Sequence, residues 1–219
     1  YYKVKVVKLK AINDILNTIE VNCQSSIRIE DELVIYFDPY DIKEARHDAN
    51  YIFITHSHWD HFNIEAIDKL RNETTTIIGP NSIIKQLPQD WSLLEVEVNQ
   101  TYQLESLSFQ TIPAYNLEKN FHPKEADYVG YLIKLQNITY YIPGDTDIIE
   151  ENKTIKADVI FLPVGGIYTM DKIEATSLAN SLNPKVAIPI HYGLAVGSLD
   201  DAIYFKEHLK KSIDCKIYY

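Results

Sequence analysis

One short segment constrains this chain more than any other, because it packs metal-binding residue types behind an apolar run. Residues 55–61 read Thr-His-Ser-His-Trp-Asp-His, which puts three imidazoles and a carboxylate within six positions. Clustered histidines repel one another when protonated, whereas neutral histidine is a strong metal ligand. Their spacing of two points His56 and His58 the same way, and Asp60 and His61 follow into a turn where they can meet a second ion. The segment predicts a divalent-metal site for zinc, with manganese or iron as alternatives.

Two further candidates follow apolar runs elsewhere in the chain. Asp145 comes after the predicted strand 140–142 at a glycine-containing turn, and His191 ends the apolar run Val186–Ile190. In layered α/β folds, functional side chains gather at the carboxyl ends of strands. Each residue alone has an ordinary structural explanation, but together with the histidine cluster both become candidate ligands.

Size and charge limit the classes of function. A chain of 219 residues with few Gly and Pro residues favours a single domain over residues 1–219. The formal charge of −10 makes nucleic acid an unfavourable partner, because binding phosphate backbones needs clustered Lys and Arg. Two distant cysteines, and no apolar run long enough to span a bilayer, make a cytoplasmic location the default expectation. The sequence leaves the oligomeric state open.

The pattern of elements predicts an α+β fold. Alternation and apolar runs predict a first strand at Lys3–Leu9 and an antiparallel meander from Leu93 to Pro113, followed by alternating strands and helices. The dipeptide Gly79-Pro80 is expected to stop the strand Thr74–Ile78. The whole order fits two sheets with helices packed outside.

The histidine segment also resembles a known signature. His56-Ser57-His58-Trp59-Asp60-His61 is similar to the H-x-H-x-D-H signature of the metallo-β-lactamase superfamily. Further similarities appear in Asp38-Pro39, in Gly144-Asp145-Thr146 and in the stretches 163–170 and 189–192, from which the chain resembles the branch of ascorbate-6-phosphate lactonase-like and N-acyl-phosphatidylethanolamine phospholipase D-like hydrolases. The resemblance implies a four-layer αββα sandwich and a metal-dependent hydrolase. It also implies the metal ligands: His56 and His58 for the first ion, Asp60, His61 and His191 for the second, and Asp145 bridging both.

One position departs from the family pattern. The family usually has a further histidine for the first metal near the end of the strand that precedes Gly-Asp-Thr, and here Tyr115 or Asn116 stands there. Asn is a weak ligand for zinc compared with imidazole. We hypothesise that the nearby His122 replaces the missing ligand or contacts substrate; otherwise the site holds one ion instead of two.

The expected reaction is hydrolysis of a small ester, lactone or phosphoester by a metal-activated water. Asp60 and Asp145 are the expected catalytic carboxylates, with Asp60 accepting a hydrogen bond from the nucleophile or assisting the leaving group. Gly165-Gly166 and Thr169 can offer donors to an anionic group, which favours a phosphate-bearing substrate slightly. Two alternatives remain open, a metal-stabilised protein without catalysis and, less favoured by charge and length, a nuclease.

Overall fold

Two mixed β-sheets organise the protein, which the computed structural model describes over residues 11–219. The predicted strand Lys3–Leu9 lies outside the described residues. The strands are β1 (Ile19–Val21), β2 (Ile27–Glu30), β3 (Val34–Phe37), β4 (Tyr51–Phe53), β5 (Thr76–Pro80), β6 (Ser92–Val96), β7 (Thr101–Gln103), β8 (Ser108–Pro113), β9 (Val129–Leu135), β10 (Ile138–Ile142), β11 (Val159–Pro163), β12 (Val186–Ile190) and β13 (Asp214–Cys215). The α-helices are α1 (Ile12–Leu16), α2 (Ile64–Leu70), α3 (Asn81–Ile84), α4 (Lys172–Leu182) and α5 (Leu199–Glu207).

Each sheet changes from antiparallel to parallel pairing along its width. Within the described residues, the first sheet has the order β1-β2-β3-β4-β5-β6, antiparallel up to β3 and parallel from there to β6. The second has the order β13-β12-β11-β10-β9-β8-β7, parallel from β13 to β10 and antiparallel from there to β7. The parallel part of each sheet is covered by helices, as crossover connections require.

Across residues 11–219, three apolar clusters lie between four layers of sheets and helices. The largest lies between the two sheets and takes side chains such as Phe53 and Phe161 from their inner faces. Alternate residues point outward, so that Ile52 packs against α2 and α3 while Ile160 packs against α4 and α5. This arrangement is the αββα sandwich, and the predicted fold class is confirmed.

Two local predictions were wrong. The strand β5 does not stop before Gly79-Pro80 but includes both residues. Pro80 is the last residue of β5 and also the N-cap of α3, and backbone N–H groups at the start of a helix have no partner within the helix, so the missing N–H is tolerated there. The segment Leu93–Pro113 is not one meander, because β6 pairs in parallel with β5 in the first sheet while β7 and β8 belong to the second. No helix within residues 11–219 has both the length and the apolar character that crossing a bilayer requires.

Candidate metal centre

The candidate ligands come from loops that follow the carboxyl ends of strands in both sheets. The histidine segment follows β4, Asp145 follows β10, His191 follows β12, and His122 lies in the loop between β8 and β9. A tight turn, in which the His61 N–H donates to the His58 carbonyl at 3.0 Å, turns His61 back toward the centre. The structure therefore brings together residues that are more than 130 positions apart in the sequence, from His56 to His191.

Three imidazoles form the first group of possible ligand atoms. His58 Nδ1 lies 3.1 Å from His56 Nε2 and 3.1 Å from His122 Nε2. Ligand atoms around 2.0–2.1 Å from a tetrahedral zinc ion are separated by roughly 3.3–3.4 Å, so the spacing suits one ion. His122 is 1% exposed and does not face solvent, which is the placement that its proposed role in the first site requires.

The second group combines two imidazoles with a carboxylate. Asp60 Oδ2 lies 3.4 Å from His191 Nε2 and 3.6 Å from His61 Nε2. Asp145 lies between the groups: its Oδ1 is 3.3 Å from His61 Nε2, while its Oδ2 is 3.1 Å from His191 Nε2 and 3.3 Å from His122 Nε2. Its two oxygens thus face both groups, which is the geometry expected of a bridging ligand.

Orphaned polar atoms indicate that this cluster suits a metal. His61 Nε2, His191 Nε2 and Asp145 Oδ1 are all buried and have no hydrogen-bond partner among the described residues. Buried polar atoms without partners are costly and rare in folded proteins. Imidazole nitrogens and carboxylate oxygens are ligands of Zn²⁺, Mn²⁺ and Fe²⁺, so the donor set fits a divalent ion.

The buried carboxylate of Asp38 orients His61 directly and His56 through Thr55, on the Nδ1 side of both rings. Asp38 is fully buried; its Oδ2 accepts hydrogen bonds from His61 Nδ1 at 2.8 Å and from the Thr55 hydroxyl at 2.6 Å. Because that hydroxyl donates to Asp38, it accepts from His56 Nδ1 at 2.9 Å. In the neutral form of each ring, the form that binds metal, the proton therefore lies on Nδ1 and Nε2 is the nitrogen that faces the cluster, as in metal-ligating histidines.

Gln24 supports the second group in a similar way. Its Nε2 donates to Asp60 Oδ2 at 3.1 Å, and its backbone carbonyl accepts from the His191 N–H at 2.9 Å and from the Tyr219 hydroxyl at 2.8 Å. Gln24 and His191 both adopt a positive φ, of 48° and 57°, which is uncommon for side chains of this kind. The backbone at Gly165 is pressed so close to the His191 carbonyl that a Cβ there would lie 2.4 Å from that oxygen.

Comparison with known proteins identifies the family of this chain. Residues 19–191 match the family described as the beta-lactamase superfamily domain. This chain is a metallo-β-lactamase-fold protein. It is 32% identical over 188 residues to the UPF0173 protein of Pyrococcus furiosus, covering 81% of this chain and 82% of the relative. It is also 24% identical to a UPF0173 metal-dependent hydrolase of Archaeoglobus fulgidus, with 86% of this chain and 89% of the relative covered.

A solved structure extends the similarity to three dimensions. A crystal structure of a candidate metal-dependent hydrolase from Parabacteroides distasonis superimposes with a TM-score of 0.77 and 29% identity, over 91% of each chain. The chain belongs to the UPF0173 family of metal-dependent hydrolases within the metallo-β-lactamase superfamily. The prediction of a hydrolase of this superfamily is thereby confirmed, whereas the substrate, the metal and the particular branch stay predictions.

In the second group of this metallo-β-lactamase-fold centre, the carboxylates and the imidazoles strongly shift one another's pKa values. Burial opposes a charge on His191, but the carboxylate of Asp145 outweighs it and raises the pKa of His191 to about 9. Burial likewise opposes a charge on His61, yet Asp145 and Asp38 raise its pKa well above the usual value. Burial would raise the pKa of Asp145 and Asp60, but the nearby His191 and His61 outweigh it, leaving Asp145 well below its usual value and Asp60 at about 2. Both carboxylates that face the centre are therefore ionised at neutral pH.

In the first group, the pKa values of two histidines shift in the opposite direction. Burial, reinforced by neighbouring imidazoles (chiefly His61 for His56 and His122 for His58), lowers the pKa of His56 and His58. Both rings are consequently neutral at physiological pH, which is the form that binds metal.

Other residues that the sequence singled out lie around the centre. The Asn116 side chain hydrogen-bonds to the backbone N–H and to Nδ1 of His122, and it therefore lies on the side of this ring opposite to Nε2. Thr169 is fully buried, with its hydroxyl donating to the Met170 carbonyl, and the Gly166 N–H donates to the same carbonyl at 3.0 Å. These two donors are therefore already engaged. Trp59 is 57% exposed and meets Tyr40 edge-on, with ring centroids 5.4 Å apart.

Sequence reasoning missed the supporting residues. Asp38 stands out in the sequence only as part of the Asp38-Pro39 dipeptide, and nothing in the local pattern distinguishes Gln24 in its polar stretch. One signal for Asp38 was its position at the carboxyl end of β3. This strand pairs with β4, the strand that precedes the histidine segment. An aspartate placed there is well situated to orient a ligand.

Proposed function

We propose that this protein hydrolyses a small ester or lactone at a centre of two divalent ions, preferably zinc, with manganese or iron as alternatives. The observation that carries the proposal is the placement of two ligand groups around Asp145, where His61 Nε2, His191 Nε2 and Asp145 Oδ1 are buried without hydrogen-bond partners among the described residues. His56, His58 and His122 would hold the first ion and Asp60, His61 and His191 the second, with Asp145 between them. We also propose that residues 1–219 form one domain.

The residues of the chain have distinct tasks in this proposal. Bound divalent ions lower the pKa of water toward neutrality and stabilise negative charge on the oxygen of the attacked bond. Asp60, ionised and held by Gln24, accepts a hydrogen bond from the attacking water and orients it. With a pKa of about 2 it is a poor proton donor, so the ligand and acceptor roles are favoured over protonation of the leaving group.

The surroundings favour a carbonyl substrate over a phosphoester. The donors that Gly166 and Thr169 would offer a phosphate are used internally, and the ammonium of Lys119 is paired with Asp147. Large apolar side chains remain exposed next to the candidate ligands, with Trp59 57% and Phe121 47% exposed. Such a rim suits the uncharged, partly apolar body of an ester or a lactone.

The proposal is tested with a substrate panel. Metal-free protein is reloaded with Zn²⁺ or Mn²⁺ and assayed on aryl esters, lactones and phosphodiesters, alongside the Asp145→Ala variant. Turnover of esters or lactones that requires added metal and is lost in the variant supports the proposal. Turnover of phosphodiesters alone would refute the substrate class, and a metal-loaded protein inactive on every class would refute the proposed hydrolysis.

A further inference from the structure

The side chain of Asn116 uses its full hydrogen-bonding capacity around His122. Its Oδ1 accepts from the backbone N–H of His122 at 3.1 Å and from His122 Nδ1 at 3.0 Å. Its Nδ2 donates to Asp147 Oδ1 at 3.1 Å and to the Tyr168 carbonyl at 3.0 Å. Asn116 is 7% exposed, so these contacts are largely shielded from water.

These bonds permit only one orientation of the carboxamide. Flipping it would turn the amide hydrogens of Asn116 toward the N–H of His122 and its oxygen toward the carboxylate of Asp147. His122 Nδ1 also lies 3.1 Å from the Tyr168 carbonyl, which can only accept. Nδ1 must therefore carry a proton, so that in the neutral ring Nε2 is the nitrogen with the free lone pair, and it faces His58 and Asp145.

We infer that Asn116 is a positioning residue that fixes the tautomer and ring orientation of His122, and so lets a histidine from a separate loop complete the first metal group. The superfamily resemblance leads one to expect the ligand itself at Tyr115 or Asn116. Here His122, six positions after Asn116, would supply the ligand, and Asn116 supports it. The inference rests on the metal centre of the proposed function.

Asp147 extends this support to the rest of the centre. Its carboxylate accepts from Asn116, from Lys119 Nζ and, at 3.0 Å, from the backbone N–H of Leu117. Lys119 also donates to the Thr169 carbonyl at 2.9 Å, which ties the loop to the segment after β11. Because Asp147 lies two residues after Asp145, one segment carries the bridging carboxylate and anchors the loop that supplies His122.

The test compares Asn116→Ala with Tyr115→Phe in the full chain. The phenol of Tyr115 anchors the same loop by donating to Glu151 at 3.0 Å, and its side chain makes no hydrogen bond with His122. Removing a group that supports a metal-ligating histidine typically weakens binding about 10–100-fold. We expect the affinity for one of two zinc ions to fall at least about tenfold in Asn116→Ala and to stay within about twofold of wild type in Tyr115→Phe.

A second readout follows the ring of His122 directly. In zinc-loaded wild-type protein, ¹⁵N-edited imidazole spectra should show the His122 proton on Nδ1 in slow exchange with water, and Asn116→Ala should accelerate that exchange. A proton on Nε2 in wild type, or a folded Asn116→Ala variant with wild-type affinity for both ions, would overturn the positioning role alone. Wild-type protein that binds no zinc would overturn the metal centre and this inference with it.

Discussion

Replacing Asp38 by Asn is expected to weaken metal binding although Asp38 touches no metal. The carboxylate accepts three hydrogen bonds, from the backbone N–H of Thr55 at 2.8 Å, from its hydroxyl at 2.6 Å and from His61 Nδ1 at 2.8 Å. The backbone N–H of Thr55 cannot turn away, so the oxygen of the new amide must face it. The NH₂ group then faces His61, where an acceptor is needed.

The size of the effect follows from what His61 loses. A hydrogen bond to a charged partner contributes about 1.5–3 kcal/mol, and each 1.4 kcal/mol corresponds to about tenfold in affinity. Alternatively His61 moves its proton from Nδ1 to Nε2, which covers the atom that faces Asp145. By either route, we expect Asp38→Asn to bind the second zinc ion roughly 10–100-fold more weakly.

The assay is a titration of metal-free protein with zinc in competition with a coloured chelator at pH 7.5. Asp48→Asn is the matched control, because Asp48 also accepts hydrogen bonds from buried partners, Tyr36 and Arg28, but contacts none of the candidate ligands. Asp48→Asn should lower thermal stability and leave both zinc affinities unchanged. A folded Asp38→Asn protein with wild-type affinity for both ions would refute the reasoning.

Two further outcomes are expected from the same centre. Since the pKa of His191 is raised to about 9, the stability that its charge provides is complete below about pH 6.5 and is lost as the pH rises through 9. Metal-free protein should therefore lose about 2–3 kcal/mol of unfolding free energy over that range, as measured by urea denaturation; a flat profile would contradict the buried ion cluster. Tyr219→Phe removes the hydroxyl that donates to the Gln24 carbonyl, whereas Tyr218→Phe removes one that donates to Leu16. Only Tyr219→Phe should reduce affinity for the second zinc ion, by a few-fold in the chelator competition, and equal effects of the two variants would argue against a specific support of Gln24.

Local patterns in the sequence were sufficient to predict much of the fold. The local pattern predicts strands at Ile27–Glu30 and Val186–Ile190 and a helix at Lys172–Leu182, and β2, β12 and α4 occur at these bounds. They are continuous runs whose ends coincide with turn-forming residues, such as Asp171, which caps α4 through a capping box. Strand pairing was less predictable, because β6 and β7 are neighbours in sequence yet lie in different sheets. Nothing in either strand's own residues encodes that choice.

The candidate site, like the fold, was predictable only in part. The histidine segment is contiguous, so its chemistry is visible without a structure. The supports of the ligands come from distant parts of the chain: Gln24 reaches Asp60 across 36 positions, and Tyr168 reaches His122 across 46. Such contacts depend on packing between loops, and no single segment of the sequence predicts them. The sequence shows that Tyr115 or Asn116 stands where the family resemblance implies a histidine, but the supporting role of Asn116 depends on the four hydrogen bonds of its side chain.

The most direct test of the account is the metal content of protein purified without chelator, determined by elemental mass spectrometry for wild type and for His122→Ala. The account predicts about two divalent ions per wild-type chain and a loss of about one in the variant, because His122 belongs to the first of two ligand groups. Wild-type protein with no bound metal, or with a single ion that His122→Ala leaves in place, would contradict the two-ion centre.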